Sequence, residues 1–311
     1  MMKDKQIIVL MGGPSKEADV SRRTGAAIAE ALVSKGYKAK TLELNPRTLL
    51  QDIESLGGEI VFNAIHGRYG EDGALQGVLE MAEIPYTGSG IMAHAVGMNK
   101  KVSKDVFKGA GIPTAAFESY NGNIESDKAI IQHICETFTI PVVVKSATQG
   151  SSIGVTIVRD ETQLADAVTE ALKYDPILVV EQFLDGREFT VSILDGQALP
   201  VIEIRPHSGE YDYESKYTAG ATDYLVPAPI SDDMTAAMQR IGERVYREVQ
   251  GSGAIRVDIM TDHDDNLYVL EYNTIPGMTS TSLVPKAAKE MGMDFPALCE
   301  KILLTAGLGK F

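Results

Sequence analysis

The residues best suited by type and spacing to do chemistry are Arg256-Val257-Asp258 and Glu271-Tyr272-Asn273, with Glu271 thirteen positions after Asp258. Both triplets lie in apolar, strand-like runs, 254–260 and 267–270, and His263-Asp264-Asp265-Asn266 between them is a cluster of turn formers. A hairpin with its turn centred there sets Asp258 opposite Glu271. Side chains alternate along a strand, so Arg256 and Asp258 share a face, as do Glu271 and Asn273. Two carboxylates facing each other across strands repel. A divalent cation between them reverses the penalty, and two carboxylates with an amide oxygen are hard ligands of the kind Mg²⁺ accepts beside substrate phosphates. The same pattern also suits the polar outer face of an edge hairpin, and the hairpin alone does not choose between the two.

Four further stretches carry chemical types in useful places. Lys145-Ser-Ala-Thr-Gln-Gly150-Ser151-Ser152-Ile-Gly154 follows the apolar run PVVV, and a Gly- and Ser-rich loop between strands can present N–H groups and hydroxyls to phosphate. No helix follows and the lysine precedes the glycines, so it is not a P-loop. Val179 to Leu184 ends a strand, where backbone groups and apolar neighbours can hold a flat ring, and Glu188 stands where a sugar hydroxyl could be bound. Asn273 to Pro285 is turn-rich and leads into a helix, with Ser282 as expected N-cap and Pro285 in the first turn. The N–H groups of such a helix start form a carboxylate site, and Gly277 lets backbone approach a reacting carbonyl. His66-Gly67-Arg68-Tyr69-Gly70-Glu71-Asp72-Gly73 follows the run IVFNAI, a favoured ligand position at the carboxyl end of a parallel strand.

The elements that must position these groups are legible in outline. Residues 6–11 (QIIVLM) have the unbroken apolarity of a buried parallel strand, closed by Gly12-Gly13-Pro14-Ser15. A helix over 20–35 stops at Gly36; strands near 38–44 and 59–64 alternate with helices near 46–56 and 74–83. This is the βαβ order of a parallel sheet. A helix near 100–110 opens a second region, with strands near 115–119, 141–145, 153–158 and 177–181 and helices near 126–138 and 161–173. A third has strands near 187–195, 197–205, 254–262 and 267–273, a helix near 232–249, two C-terminal helices and a long polar loop, 206–229, of lid character.

The 311 residues suffice for two or three domains, and 44% apolar residues supply core material. A net charge of −14 argues against nucleic acid or anionic membrane as partners, so a polyanionic ligand must be held by local lysines, arginines and metal. Two cysteines, Cys135 and Cys299, are too few for a disulfide framework and read as buried thiols in helices. The first apolar run is too short for a signal peptide or membrane span, which makes the expectation cytoplasmic.

Taken together the segments resemble the D-alanine–D-alanine ligases of the ATP-grasp superfamily. The resemblance spans essentially the whole chain: GGPSKEADVS at 12–21, HGRYGEDGALQG at 66–77, PYTGSG at 85–90, QGSSIG at 149–154, YDYESKYTAG at 211–220, RVD at 256–258 and EYNTIPGMTSTSLVP at 271–285. It implies an α/β, three-domain ATP-grasp fold: a parallel-sheet domain over 1–98 with the first D-alanine site, a central lid domain over 99–184, and a domain over 185–311 with the metal site and the lid loop 206–229. It further implies two D-alanines joined with ATP through an acyl phosphate, for peptidoglycan synthesis, and a homodimer. By the same resemblance Asp258, Glu271 and Asn273 hold two Mg²⁺ ions, for which Mn²⁺ can substitute. Lys100, Lys145 and Lys216 neutralise ATP oxygens, and Lys216, on the long loop, also counts among the substrate-binding residues. Glu181 and Glu188 recognise adenine and ribose, with Phe183 and Leu184 lending backbone groups. Arg256 and the Gly277 N–H stabilise an oxyanion. Glu17 pairs with the first D-alanine's ammonium group beside His66; Ser282 and the Leu283 N–H take the second carboxylate; Glu17, Ser151 and Tyr217 link three regions over the closed site. Tyr217 also points to an amine rather than a hydroxyl acceptor.

Four positions depart from the family pattern: Ser146 where proline often follows the lysine, Asn99 for Asp, Thr281 for His, and the large Tyr272 between metal ligands. None removes a group named above; the change at Thr281 bears on the second substrate's pocket. Another ATP-grasp carboxylate–amine ligase would not need the motif around Glu17 and the YDYESKY loop. A dinucleotide-binding oxidoreductase needs a G-x-G-x-x-G turn that Gly12-Gly13 does not provide. A nucleotide sensor without catalysis would not need both metal carboxylates, the arginine and the lid.

Overall fold

The computed structural model describes residues 2–150, 153–211, 215, 218, 220–279 and 282–310. Three sheets organise the chain. The first is parallel, ordered β2 (Lys38–Glu43), β1 (Gln6–Met11), β3 (Ile60–Asn63). Ile7 and Val9 enter one hydrophobic core and Ile8 and Leu10 another, which is why the strand needs an apolar residue at every position rather than at alternate ones. Helix α1 (Ala18–Ser34) returns across the sheet, and α2 (Leu49–Ser55) and α3 (Ala74–Met81) complete this region.

The second sheet is antiparallel, β4 (Phe117–Asn121), β7 (Ile177–Gln182), β5 (Val142–Ser146), β6 (Val155–Val158). Two helices, α6 (Asp127–Thr137) and α7 (Leu164–Leu172), cover one face of it. The third sheet runs β11 (Thr222–Leu225), β10 (Ile202–Pro206), β8 (Glu188–Leu194), β12 (Ala254–Thr261), β13 (Leu267–Asn273), with the short β9 (Gln197–Ala198) beside β8. Its core takes Phe107 from α5 (Lys100–Gly109) and Met238 and Val245 from α8 (Asp232–Glu248). Helices α9 (Leu283–Glu290) and α10 (Phe295–Leu303) pack instead with α1, so the first core is shared between the two ends of the chain.

Several expectations are corrected. The segment 206–229 is not one unstructured loop: Thr222–Leu225 pairs antiparallel with β10, Pro206 opposite Thr222. The strand expected over 197–205 is broken around Pro200, which lacks an N–H for a ladder. A helix at Ile91–Met98 (α4) was not foreseen, because IMAHAVGM has no polar face to show a helical period. Cys135 is exposed while Cys299 is buried. Helix α6 buries Ile130 and Ile134, and the next residue, turned by about 100°, falls off that stripe. No helix among the described residues is long and apolar enough to cross a membrane.

Candidate active site

The β12–β13 hairpin has the expected register: Asp258 lies opposite Glu271 and Arg256 opposite Asn273, with an irregularity just after Asp258. Arg256 grips Asp258 with two hydrogen bonds of 2.8 Å, from Nε to Oδ1 and Nη2 to Oδ2. From β8, Thr190 donates to the same Oδ1 at 2.7 Å. Burial works against the Arg256 charge, but Asp258 outweighs it and holds the guanidinium firmly protonated. Glu271 is answered by another cation, Lys100, whose Nζ is 2.9 Å from Oε2 and also donates to the Gln149 carbonyl at 2.9 Å. The repulsion expected between the carboxylates is thus relieved by one cation on each side. Asn273 Oδ1 accepts the Ile275 N–H at 3.0 Å, which turns the chain out of the strand. Two carboxylates and an amide on facing strands remain a hard-oxygen donor set, so the chemistry of these residues fits Mg²⁺. Among the described residues no group of three His, Cys, Asp or Glu forms such a cluster, so the Asn273 amide and oxygens from outside the protein would complete any shell.

A cleft of about 430 Å³ opens in front of this hairpin. Of the residues singled out in the sequence, it is lined by Glu17 and His66 from the first region, Lys100 from α5, Arg256, Glu271 and Asn273 from the hairpin, and Gly277, Ser282 and Leu283 from the turn beyond it. Asp258, bonded to Arg256, is not itself on the wall. Lys145, Glu181, Phe183, Leu184 and Glu188 are not on its wall. Ser151, Lys216, Tyr217 and Thr281 lie outside the described residues.

The first-region wall is tightly built. Ser21 Oγ accepts the Gly12 N–H at 2.8 Å and donates to Ala64 O at 2.7 Å, joining α1 to the ends of β1 and β3. Asn63 clamps the loop after β3 by accepting from Ile65 N and donating to Gly70 O, each at 3.0 Å. Gly67 has φ +74°, and a Cβ there would lie 2.6 Å from Ser15 Oγ and 3.1 Å from Glu17 Oε2, so only glycine lets the loop pass Glu17. A Cβ on Gly150 would lie 3.9 Å from the same oxygen, which places the Glu17 carboxylate between the β3 loop and the β5–β6 loop. His66 Nε2 is 3.3 Å from Thr24 Oγ1, and burial holds its pKa below the usual value although the Glu17 charge pulls it back up.

Beyond the hairpin, a Cβ on Gly277 would lie 2.9 Å from Ser282 Oγ. Ser282 stands at the N-cap position of α9, but its hydroxyl does not cap the helix. It meets the Thr279 N–H at 3.0 Å and Thr279 Oγ1 at 2.8 Å, bracing the 277–282 turn instead. With Pro285 as third helical residue, one of the N–H groups a cap would satisfy does not exist.

Away from the cleft wall, Lys145 Nζ lies 3.0 Å from Glu181 Oε2 on the neighbouring strand. The Arg159 guanidinium stacks 5.0 Å from the Phe183 ring centre, Leu184 is buried, and Glu188 lies opposite Ile204 and Met260 within the third sheet.

Two segments match family models described as the D-ala D-ala ligase C-terminus, residues 106–304, and N-terminus, residues 47–89. The D-alanine–D-alanine ligase of Syntrophotalea carbinolica is 47% identical over 310 residues, covering 99% of this chain and 98% of the relative. That of Moorella thermoacetica is 43% identical over 96% of this chain and 98% of the relative. The chain belongs to the D-alanine–D-alanine ligase family. Its fold agrees: a solved ligase of this name from Bacillus anthracis, 33% identical, superposes with a TM-score of 0.86 over 97% of each chain. A second Bacillus anthracis ligase structure, complexed with ATP, does so with a TM-score of 0.84 at 31% identity, again over 97% of each chain. The three sheets are those of an α/β ATP-grasp enzyme.

The cleft of this family member also holds residues that motif reading passed over. Glu71 lies on its wall with Oε2 accepting the Gly67 N–H at 2.6 Å. The cleft leaves the residue only half-buried, yet crowding by protein, reinforced by the Glu17 charge, pushes the carboxyl up to about 8. The one available signal was an acid inside the glycine-rich turn. Tyr211 and Tyr224, whose hydroxyls meet at 3.1 Å, close another side. The Glu71 shift makes a prediction about stability. A folded-state value near 8 against an ordinary 4.5 means that the folded form keeps a proton the unfolded chain loses, so stability falls as pH rises across that window. Gln at position 71 mimics the protonated carboxyl and has no such window. The Tm of wild type minus that of Glu71→Gln should therefore decrease from about pH 4.5 to about pH 8 and level off beyond. Parallel Tm profiles for the two proteins would show that Glu71 is ionised in the fold.

Proposed function

We propose that this chain joins two D-alanine molecules at the expense of ATP, by way of D-alanyl phosphate, releasing ADP and phosphate and supplying the dipeptide for peptidoglycan precursors. The observation that carries the reading is the meeting of two halves in one cleft. Glu17 and His66, from the parallel sheet, face Arg256, Glu271 and Asn273 on the hairpin and Gly277, Ser282 and Leu283 beyond it. An amino-acid site and a phosphate site are thus adjacent, as transfer from ATP to a carboxylate requires.

Glu17 binds the ammonium group of the first D-alanine, and neutral His66 packs beside it. Lys100, Lys145 and Lys216 spread positive charge over the triphosphate. Asp258, Glu271 and Asn273 would hold Mg²⁺, or Mn²⁺ in its place, and the bound cation would neutralise phosphate oxygens. Arg256, kept cationic and held in place by its two hydrogen bonds to Asp258, and the Gly277 N–H stabilise negative charge on the attacked carbonyl oxygen. The Ser282 hydroxyl and Leu283 N–H orient the carboxylate of the second D-alanine. Ser151 and Tyr217 complete the closure with Glu17. Glu181, Phe183, Leu184 and Glu188 hold adenosine, with Glu181 Oε1, which has no hydrogen-bond partner among the described residues, as a buried acceptor for a donor on the nucleotide. The sites divide among units spanning 1–98, 99–184 and 185–311, with the 206–229 segment as cover.

ADP release measured with Mg-ATP and either D-alanine, L-alanine or D-lactate tests this. D-Alanine should give ADP and a product with the mass of the dipeptide. ADP formed equally well with L-alanine, or with no amino acid, would reject the reading.

A further inference from the structure

Lys104 was not among the residues expected at the site, yet among the described residues it is the most deeply buried cation near it. Its side chain is 0% exposed, its Nζ lies 3.2 Å from Glu181 Oε2, and Glu181 is itself only 2% exposed. Lys145 Nζ reaches that same oxygen at 3.0 Å. Lys104 also donates to Thr114 Oγ1 at 2.7 Å, and Thr114 donates in turn to the Val269 carbonyl at 2.7 Å. Val269 stands on β13 two residues before Glu271, so Lys104 is pinned between the second sheet and the strand that carries Glu271. Helical spacing puts it there: Lys100 and Lys104 are four residues apart on one face of α5.

The charges do not balance. One carboxylate stands between two amino groups; burial lowers the Lys104 pKa while the Glu181 charge pulls it back up, and with both lysines protonated the surplus is one positive charge in a largely desolvated place. Burial alone would push the Glu181 carboxyl up, but Lys145 and Lys104 outweigh it and keep it ionised. Lys145 is 13% exposed and Lys104 not at all, so the surplus can reach a ligand only through Lys145. We propose that Lys104 is a positioning residue that neutralises Glu181 and thereby frees the charge of Lys145 for the polyphosphate of the nucleotide. This rests on the nucleotide site under Proposed function. Without Lys104, Glu181 is compensated by Lys145 alone, and the attraction for phosphate is lost although Lys145 is still present.

A charge-counting set of variants tests the idea: K104M, E181Q and K104M/E181Q in the full chain. The local sum is +1 in wild type, 0 in K104M, +2 in E181Q and +1 again in the double variant. The probes are inorganic tripolyphosphate, which has no base for Glu181 to touch, and ADP, both with Mg²⁺ and both measured by calorimetry. Tripolyphosphate affinity should fall about tenfold in K104M, the effect of about 1.4 kcal/mol, and return to near wild type in the double variant. E181Q should bind tighter than wild type. A lysine that merely fills space would not be rescued by removing a carboxylate, so equal weakening of K104M and the double variant overturns the proposal, as does unchanged binding in K104M. Should K104M not fold, K104Q, whose amide can still donate to Glu181 and Thr114, takes its place: weakened tripolyphosphate binding that K104Q/E181Q restores supports the proposal, and equal weakening of the two overturns it. Wild type that binds neither probe would reject the nucleotide site itself, and this role with it.

Discussion

Arg256→Met should lower turnover by about 10²–10³-fold and destabilise the protein by about 3 kcal/mol or more. The two effects have one cause. Arg256 meets Asp258 through two bonds of 2.8 Å, and the Asp258 side chain is only 10% exposed, so removing the guanidinium strands a carboxylate in the middle of the third sheet. Thr190 still donates to it, but a neutral hydroxyl does not replace a charge. On the proposed mechanism the variant also loses the cation that answers charge developing on the carbonyl oxygen. Arg256→Lys separates the contributions. It restores a positive charge and so recovers much of the stability, measured by urea unfolding, but cannot make the forked contact and should stay well below wild type in kcat. Turnover of Arg256→Met within a few-fold of wild type would remove Arg256 from the chemistry.

Glu271→Gln should reduce kcat at least about a hundredfold while leaving the Tm nearly unchanged. Glu271 is the more exposed of the facing carboxylates, at 37%, and its partner Lys100 keeps a second bond to the Gln149 carbonyl, so the fold depends little on its charge. The site depends on it more. With Gln in place the donor set keeps one carboxylate and two amides, which weakens any hold on a divalent cation. The variant should therefore also need several-fold more Mg²⁺ to bind ADP, a calorimetric readout independent of turnover. Near-normal kcat in saturating Mg²⁺ would remove Glu271 from the cation site.

The hairpin could be read from the sequence because every cue for it is local. A polar turn cluster between two apolar runs sets the register, and a one-residue slip would move all of its polar residues to the other face. The same holds for β1, whose unbroken apolar run announces burial on both faces. Other features failed for lack of a local cue. Ile91–Met98 is apolar on every side, so no period marks it as helix. Thr222–Leu225 is a strand only because β10 offers it an edge. Ser282 has the sequence context of a cap, but its hydroxyl is taken by Thr279 three residues back.

Residue type and order were thus enough to single out the candidate groups: the facing acids, the arginine beside them, and the glycines of the turns around them. Their pairing was decided by tertiary structure. Lys100 answers Glu271, Lys104 and Lys145 share Glu181, and Glu17 approaches a loop some fifty residues away. The cause is physical. A strand's face and period are set by its own neighbours in sequence, but the charge a buried side chain feels is set by whichever groups packing brings within a few ångströms. That is also why the acid at Glu71 and the lysine at Lys104 came to light only in the folded chain.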